Sequence, residues 1–127
     1  MIKKNYVKIS VCLLMLFIAI QTVFGLTTRK SCELKMGQSQ VETDWVGTSK
    51  VGKFTASTYS DTRAGVYMFC YVQSASGGFT LCEKKVYINA GKSDTYTAYE
   101  NNKHIFYIQL TSSMGNSTHA TGTVEAI

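Results

Sequence analysis

The sequence offers few residues that could perform nucleophilic catalysis. A thiol or hydroxyl nucleophile needs a base beside it, and the two histidines that could serve as that base are His104 and His119. Cys32 is a candidate thiol, since its distance from either histidine in space does not follow from the sequence. No strand–turn–helix nucleophile signature surrounds any serine or cysteine. The sequence therefore favours a non-enzymatic protein.

Two patterns resemble phosphate or metal motifs without satisfying them. The triplet at residues 91–93 (Gly-Lys-Ser) ends like a phosphate-binding loop, but Val86 occupies the position of that loop's first glycine. Strand-like residues also follow where the motif needs a helix. Zinc sites use closely spaced cysteines and histidines, whereas here Cys-x-x-Cys is absent and the histidines are scattered. We expect a turn at residues 91–93, no bound metal and no cofactor.

Two pairs of carboxylates could support acid–base or calcium chemistry. Glu42 and Asp44 share one face if their segment is extended. Asp61 and Asp94 could bind calcium together with loop carbonyls, but no EF-hand spacing supports that. Glycoside hydrolysis needs two carboxyls held across a sugar-binding cleft, for which a short-looped domain has little room. The sequence favours solvated surface charges in both pairs.

The cysteines predict one disulfide bond. Residues 66–74 and 79–88 are rich in aromatic and β-branched residues, and a short Ala-Ser-Gly segment between them suits a hairpin loop. If that loop has three residues, Cys70 lies directly opposite Cys82. Opposed residues of antiparallel strands are close enough for a disulfide. We therefore expect a Cys70–Cys82 bond, with Cys32 as the alternative partner of either.

The aromatic residues are the most suggestive feature for binding. In the segment 66–74, Tyr67, Phe69 and Tyr71 alternate with aliphatic residues and Cys70, so the two sets lie on opposite faces of a strand. If the aliphatic face enters the core, the three rings form an outward stripe that could bind a glycan or a protein. If the faces are reversed, the rings are core. Trp45, in a glycine-bordered stretch, is either a core anchor or a contact residue.

The first 25 residues predict a cleavable secretory signal peptide. Lys3, Lys4 and Lys8 precede an uncharged apolar run at 11–20, and Val23 and Gly25 suit the positions before a cut. The run is shorter than the ~20 residues that a membrane span needs. We expect a signal-peptide helix at 1–25, a secreted domain at 26–127 and no membrane attachment after cleavage.

Cleavage changes both the charge and the cysteine count. The chain has 13 basic and 8 acidic residues, a net charge of +5. Three of the lysines are in the leader, so the mature part has 10 against 8, and no basic cluster for nucleic acid. The leader also holds Cys12. Three cysteines remain, so Cys32 stays free or joins two chains in a covalent dimer.

The mature part reads as a series of short strands. Removing 25 of the 127 residues leaves 102, which suits a single domain. Seven or eight short alternating stretches are separated by Gly, Asn, Ser and Asp clusters. We expect a turn at Asn101-Asn102. In the last stretch, 119–127, small residues and Val124 share one face. This rhythm predicts an all-β fold, a small antiparallel β-sandwich, with a small barrel as the alternative.

These features predict a secreted, non-enzymatic module that binds an extracellular glycan or protein. The expected contact residues are Tyr67, Phe69, Tyr71 and Trp45. Two alternatives stay open: a secreted toxin or bacteriocin-like effector, and a small secreted hydrolase or inhibitor.

Overall fold

The computed structural model describes residues 26–127, and these form an all-β fold, as the sequence predicts. The seven strands are β1 (Arg29–Leu34), β2 (Gln40–Glu42), β3 (Val46–Thr58), β4 (Val66–Ser74), β5 (Leu81–Ile88), β6 (Ser93–Ser112) and β7 (Ala120–Ala126). Within these residues no helix has the length and hydrophobicity to span a membrane. The expected signal-peptide helix at 1–25 lies outside the described residues.

The strands form one antiparallel sheet in the order β1-β7-β3-β6-β4-β5, with β2 paired to β6. The sheet is not closed into a barrel and resembles a small β-sandwich, so the first of the two predicted architectures is the better description. β6 links its two halves, because it pairs with β3 up to Phe106 and with β4 from His104 onward.

The turn expected at Asn101-Asn102 is wrong, because the chain continues there as a single 20-residue strand. Tyr99 pairs with Val51 and His104 with Ser49, so the intervening four residues of β6 lie opposite only Lys50. The extra residues form an irregularity in the β3–β6 pairing, and the exposed asparagines belong to it. Polar residues that are common in turns therefore form a bulge here. Residue type alone does not distinguish such a bulge from a turn that reverses the chain.

The core follows the alternation of the strands. On β4 the aliphatic face is buried, including Val66, Met68 and Cys70, all fully inaccessible to solvent. On β7 the predicted face is also buried, with Val124 at its centre. Other large, fully buried side chains come from β1, β3 and β6: Leu34, Val46, Phe54, Phe106, Ile108 and Leu110.

One glycine is required by the close approach of an aromatic ring. A Cβ atom at Gly52 of β3 would lie 2.6 Å from two ring carbons of Phe106. Phe106 also packs edge-on against Phe54, with ring centroids 6.0 Å apart at 83°. The absence of a side chain at Gly52 therefore lets Phe106 lie over the backbone of β3.

A buried hydroxyl group joins the loop before β7 to the rest of the fold. Thr118 is fully buried, and its hydroxyl donates to the carbonyl of Gly65 at 2.9 Å and is hydrogen-bonded to the hydroxyl of Ser112 at 2.8 Å. The contact with Gly65 joins segments 53 residues apart, and the contact with Ser112 joins the loop to the end of β6. A buried polar group left without its partner costs more than the hydrogen bond contributed when formed.

Thr118→Val should therefore lower the free energy of unfolding by about 1–3 kcal/mol, since it leaves the Gly65 carbonyl without this donor. Thr118→Ser is the matched control, because it keeps the hydroxyl and loses only a methyl group. Urea denaturation of both variants, with an unchanged m-value, measures the difference. Equal stability of the two variants would contradict the role given to the hydroxyl.

Candidate functional site

The structure places the predicted aromatic stripe on the outer face of the sheet. Tyr67, Phe69 and Tyr71 are each half-buried, while their aliphatic neighbours on β4 point inward. Trp45, just before β3, is also half-buried. Of the two orientations that the sequence left open for β4, the structure has the one with the aliphatic face inward, and the rings retain partial access to solvent.

Two further tyrosines extend this stripe across the neighbouring strands. Tyr107 of β6 is directly opposite Tyr71, and Tyr87 of β5 is directly opposite Tyr67. We call the complete set the aromatic ladder: Trp45, Tyr67, Phe69, Tyr71, Tyr87 and Tyr107. Sequence reasoning missed the last two because strand order and register were needed to join them. Their signal in the sequence is an aromatic residue at the outward position of an alternating strand.

The ladder is continuous from ring to ring. Tyr71 and Tyr107 stack face to face, with centroids 4.5 Å apart and planes 9° apart, and Trp45 meets Tyr107 edge-on at 4.5 Å. On the other side, successive centroids from Tyr71 through Phe69 to Tyr67 are 6.4 Å apart. Tyr87 completes the row, 5.2 Å from Tyr67. Only the Tyr71–Tyr107 pair among these is a close parallel stack.

A lysine covers one end of the ladder. The Nζ atom of Lys85 lies 4.5 Å from the ring centroid of Tyr67 and 5.4 Å from that of Phe69. A cation over an aromatic face is attracted by the ring quadrupole. Lys84, its neighbour on β5, pairs with the inward-facing Cys70 and lies near the Tyr96 ring on the other face of the sheet. Lys85 therefore supplies the positive charge that the structure places over these rings.

The central phenols of the ladder stay protonated over an extended pH range. Burial is the largest cause that raises the pKa of Tyr71, followed by Cys82 and by the carboxylate of Glu42. Burial likewise leads in raising the pKa of Tyr107, with Tyr71 next. Both hydroxyls consequently remain hydrogen-bond donors as well as acceptors at neutral pH.

The predicted Cys70–Cys82 register is wrong by one residue. Cys82 pairs with Tyr71, because Val72 pairs with Leu81 and the connection between the two strands is one residue longer than expected. A bulge at Glu83 then moves the partner of Cys70 to Lys84. Among residues 26–127 the three cysteines are free thiols, with Cys70 buried and Cys82 exposed. The longer connection thus separates the two cysteines, and the expected disulfide is not formed in this structure.

Cys32 has the environment of an unreactive thiol. It is half-buried on β1, and burial is the main cause that raises its pKa to about 11. The thiolate is the reactive form, so this environment suits neither a catalytic nucleophile nor rapid disulfide formation. A covalent dimer through Cys32 stays a prediction, and Cys82 is the more exposed thiol.

The carboxylate pairs considered from the sequence are not brought into a common site. Asp61 is hydrogen-bonded to His119 at 3.0 Å, whereas Asp94 of β6 accepts from the next backbone N–H in its own strand. Glu42 and Asp44 are both exposed, as their alternation implies. Within residues 26–127, no three His, Cys, Asp or Glu side chains are arranged to hold a metal ion. The turn expected at residues 91–93 is confirmed in part, since it joins β5 to β6.

His119 instead links two carboxylates across the surface. Its Nε2 is 3.0 Å from Glu33 of β1, its Nδ1 is 3.0 Å from Asp61, and the Tyr59 ring stacks on it at 3.8 Å. The hydrogen bonds to Glu33 and then to Asp61 raise the pKa of His119. The charged imidazolium form is thereby favoured, and the cluster holds β1 and the segment before β4 against the start of β7.

A second group of ionisable residues lies beside the β4–β5 loop. Tyr96 of β6 donates its hydroxyl to Glu83 at 3.1 Å, and Nε2 of His104 is 3.8 Å from Glu100. Glu83, Glu100 and His104 line a cavity of about 410 Å³. Sequence reasoning did not find this group, because its members are dispersed along β5 and β6 and meet only at the β3–β6 irregularity.

No protein-family model matches the chain, and no curated protein matches it. Similar solved structures include that of PirA, with a TM-score of 0.45 and 10% identity over 77% of this chain and 92% of that one. The Drosophila NLP core has a TM-score of 0.38 and 9% identity over 76% and 95% of the two chains. TmCBM61, solved with β-1,4-galactotriose, has a TM-score of 0.34 and 14% identity over 79% and 62%. At these values the likeness says nothing about function.

Proposed function

We propose that this protein is a secreted, non-enzymatic binding module whose aromatic ladder contacts an extracellular protein surface. The observation that carries the proposal is the unbroken outer row of six aromatic side chains, each in ring contact with the next. Tyrosine and tryptophan combine a large apolar body with a polar edge, and they are enriched where proteins bind one another. Export rests on the predicted signal peptide.

The geometry of the rings favours a protein partner over a sugar. A sugar ring stacks on a free aromatic face, but one face of Tyr71 is against Tyr107 and Lys85 lies over Tyr67. The half-buried tyrosines of the ladder combine hydrogen-bonding groups with apolar ring atoms, as protein interfaces do.

The positive charge beside the ladder indicates the charge expected on the partner's surface. Lys85 of β5 lies over the rings of Tyr67 and Phe69. A partner surface with apolar side chains at its centre and carboxylates at its rim would match both features, and the charges would mainly raise the association rate. The alternatives of a toxin-like effector and of a hydrolase or inhibitor stay predictions.

Binding should be lost when the ladder is interrupted without loss of the fold. We expect Tyr67→Ala and Tyr71→Ala together to weaken binding by about tenfold or more, because central aromatic residues carry much of the affinity of an interface. The assay presents the purified 26–127 domain to an array of extracellular protein domains and to a glycan array. Near-ultraviolet circular dichroism and thermal unfolding report whether the variant remains folded.

Tyr99→Ala provides the matched control, because Tyr99 is a tyrosine 79% exposed and outside the ladder. It should bind as the wild type does. Lys85→Glu, which retains the rings, should slow association with an acidic partner. Binding to the glycan array alone would show that the ligand is a sugar and would contradict a protein partner. Equal binding by the ladder variant and by wild type would refute the proposal.

A further inference from the structure

β5 forms one margin of the sheet and leaves one side of its backbone unpaired. It is the last strand in the sheet order, and among residues 26–127 it pairs with β4 alone. Its side chains are largely exposed, and Leu81 at its start is 59% exposed. An open edge of this kind presents a row of backbone N–H and C=O groups, so a further strand can pair with it.

The charged residues in the middle of β5 determine which strand can pair there. Glu83 is followed directly by Lys84 and Lys85, and lysines on an edge strand oppose pairing with another basic strand. Unlike charges directly opposite each other stabilise a strand pair, whereas like charges destabilise it. A matching strand therefore needs a carboxylate opposite Lys84 and a cation opposite Glu83. β5 itself has this sequence when it is read in the opposite direction.

The bulge at Glu83 places two of these charged side chains on the same face of the sheet. Lys84 pairs with the buried Cys70, and its Nζ is 6.0 Å from the ring centroid of Tyr96. Glu83 accepts a hydrogen bond from the Tyr96 hydroxyl at 3.1 Å. Tyr96 packs against the core. Successive residues of a regular strand lie on opposite faces, but here both side chains approach Tyr96 on the inner face.

The faces of the neighbouring β5 residues follow from their partners on β4. Leu81 and Val86 pair with buried residues of β4, so they lie on the inner face. Cys82 and Lys85 pair with aromatic residues of the outer face of β4, so they lie on the outer face. From residue 81 to residue 86 the order is therefore inner, outer, inner, inner, outer, inner. This order is the same in both directions.

We propose that two copies of this protein associate by antiparallel pairing of their β5 strands, about a two-fold axis between residues 83 and 84. Directly opposed residues of a sheet share a face, and in this register they do so throughout 81–86. A shift by one or two residues would oppose an inner residue to an outer one. Glu83 of each copy then lies opposite Lys84 of the other, and Leu81 lies opposite Val86.

The two-fold symmetry makes each of these contacts twice, because the same patch of both copies faces itself. Two pairs of unlike charges flank the axis, and the exposed side chain of Leu81 gains an apolar neighbour from the other copy. On the outer face Lys85 is opposite the uncharged Cys82, so no two lysines oppose each other. The inference goes beyond the proposed binding function and does not depend on it, since residues 81–86 include no member of the aromatic ladder.

Sedimentation velocity of the 26–127 domain tests the association. Small interfaces are weak, so we expect a shift from monomer to dimer at protein concentrations between about 10 µM and 1 mM. Glu83→Lys and Lys84→Glu should each weaken dimerisation at least tenfold, because each substitution opposes like charges at two positions. An equimolar mixture of these two variants should dimerise again, since the two changes compensate each other across the strand pair.

Lys92→Glu is the matched control, because Lys92 is an exposed lysine in the turn after β5 and lies outside the paired segment. It should dimerise as wild type does. Circular dichroism and thermal unfolding report whether each variant is folded. If Glu83→Lys fails to fold because it loses the Tyr96 contact, Lys84→Glu is compared with Lys84→Gln. Reversal of the charge should then weaken association more than its neutralisation.

A short crosslinker with one thiol-reactive and one amine-reactive group locates the contact. Cys82 is the exposed thiol of the three described cysteines. Covalent dimers separated on a denaturing gel should contain Cys82 joined to Lys85, which mass spectrometry of their tryptic peptides identifies. Cys82→Ser should remove this dimer band without changing sedimentation.

Four results would overturn the inference. They are a wild type that stays monomeric over the whole concentration range, equal dimerisation by wild type and both charge variants, a mixture of these variants that stays monomeric, and crosslinks between copies only outside residues 81–86. None of them bears on the ladder, because its test measures binding to a different protein and uses variants that leave residues 81–86 in place.

Discussion

Phe106→Ala is expected to remove a large share of the stability of the domain. Phe106 is fully buried on β6, where that strand passes from β3 to β4. Deleting a buried phenylalanine ring costs about 3–5 kcal/mol through lost burial and the cavity that remains. Domains of ordinary stability have only about 5–15 kcal/mol in total. The ring packs against Phe54 and over the backbone of Gly52, both on β3, so its removal leaves a cavity beside that strand.

Thermal unfolding followed by circular dichroism measures this effect. At roughly 4–8 °C for each kcal/mol in a domain of this size, the midpoint should fall by more than about 10 °C. Phe79→Ala is the matched control, since Phe79 is the same residue type at 98% exposure and its truncation should shift the midpoint by no more than a degree or two. Similar shifts in the two variants would show that the ring of Phe106 is not a core element.

Gly52→Ala should also destabilise the domain strongly, for the opposite reason. The new methyl carbon would lie 2.6 Å from the Phe106 ring, closer than carbon atoms can approach. Overpacking of this kind costs about 1–3 kcal/mol and occasionally more. Equilibrium unfolding in urea should show the loss as a lower midpoint with little change in slope.

A second substitution at the contacting residue tests the cause. Phe106→Leu alone should destabilise, but in the Gly52→Ala background it should cost much less, because the smaller side chain relieves the overlap. The coupling energy between contacting residues is typically about 0.5–3 kcal/mol. Additive effects of the two substitutions would contradict the steric explanation. Gly37→Ala is not a suitable control, since Gly37 has a φ of +96°.

The all-β class and the assignment of faces could be predicted because they depend on local alternation. Val66, Met68 and Cys70 are buried as their spacing requires, and so is Val124 on β7. The pairing of strands could not be predicted in the same way. β1 lies beside β7, and β3 lies between β7 and β6, which depends on long-range packing.

Only part of the candidate sites could be predicted, because the rest depends on strand register and on irregularities in strand pairing. The stripe at Tyr67, Phe69 and Tyr71 could be found from β4 alone. Tyr107 joins it only through the β4–β6 register. The β4–β5 connection is one residue longer than a three-residue loop implies, which places Cys82 opposite Tyr71, and the sequence does not signal that extra residue. The same strand irregularities place Glu83 and Glu100 at one cavity.

The pairing of β1 with β7 has a consequence for the time at which the domain can fold. Arg29 pairs with Glu125 and Leu34 with Ala120, so the strand synthesised first among those described has as its main neighbour the one synthesised last. The second half of β3 also pairs with β7. During translation the sheet must wait for residues 120–126 before it can close around its core. Distant pairings of this kind fold slowly, and if the chain is exported, as the proposed function requires, this delay leaves an interval in which a translocation machinery can accept an extended chain.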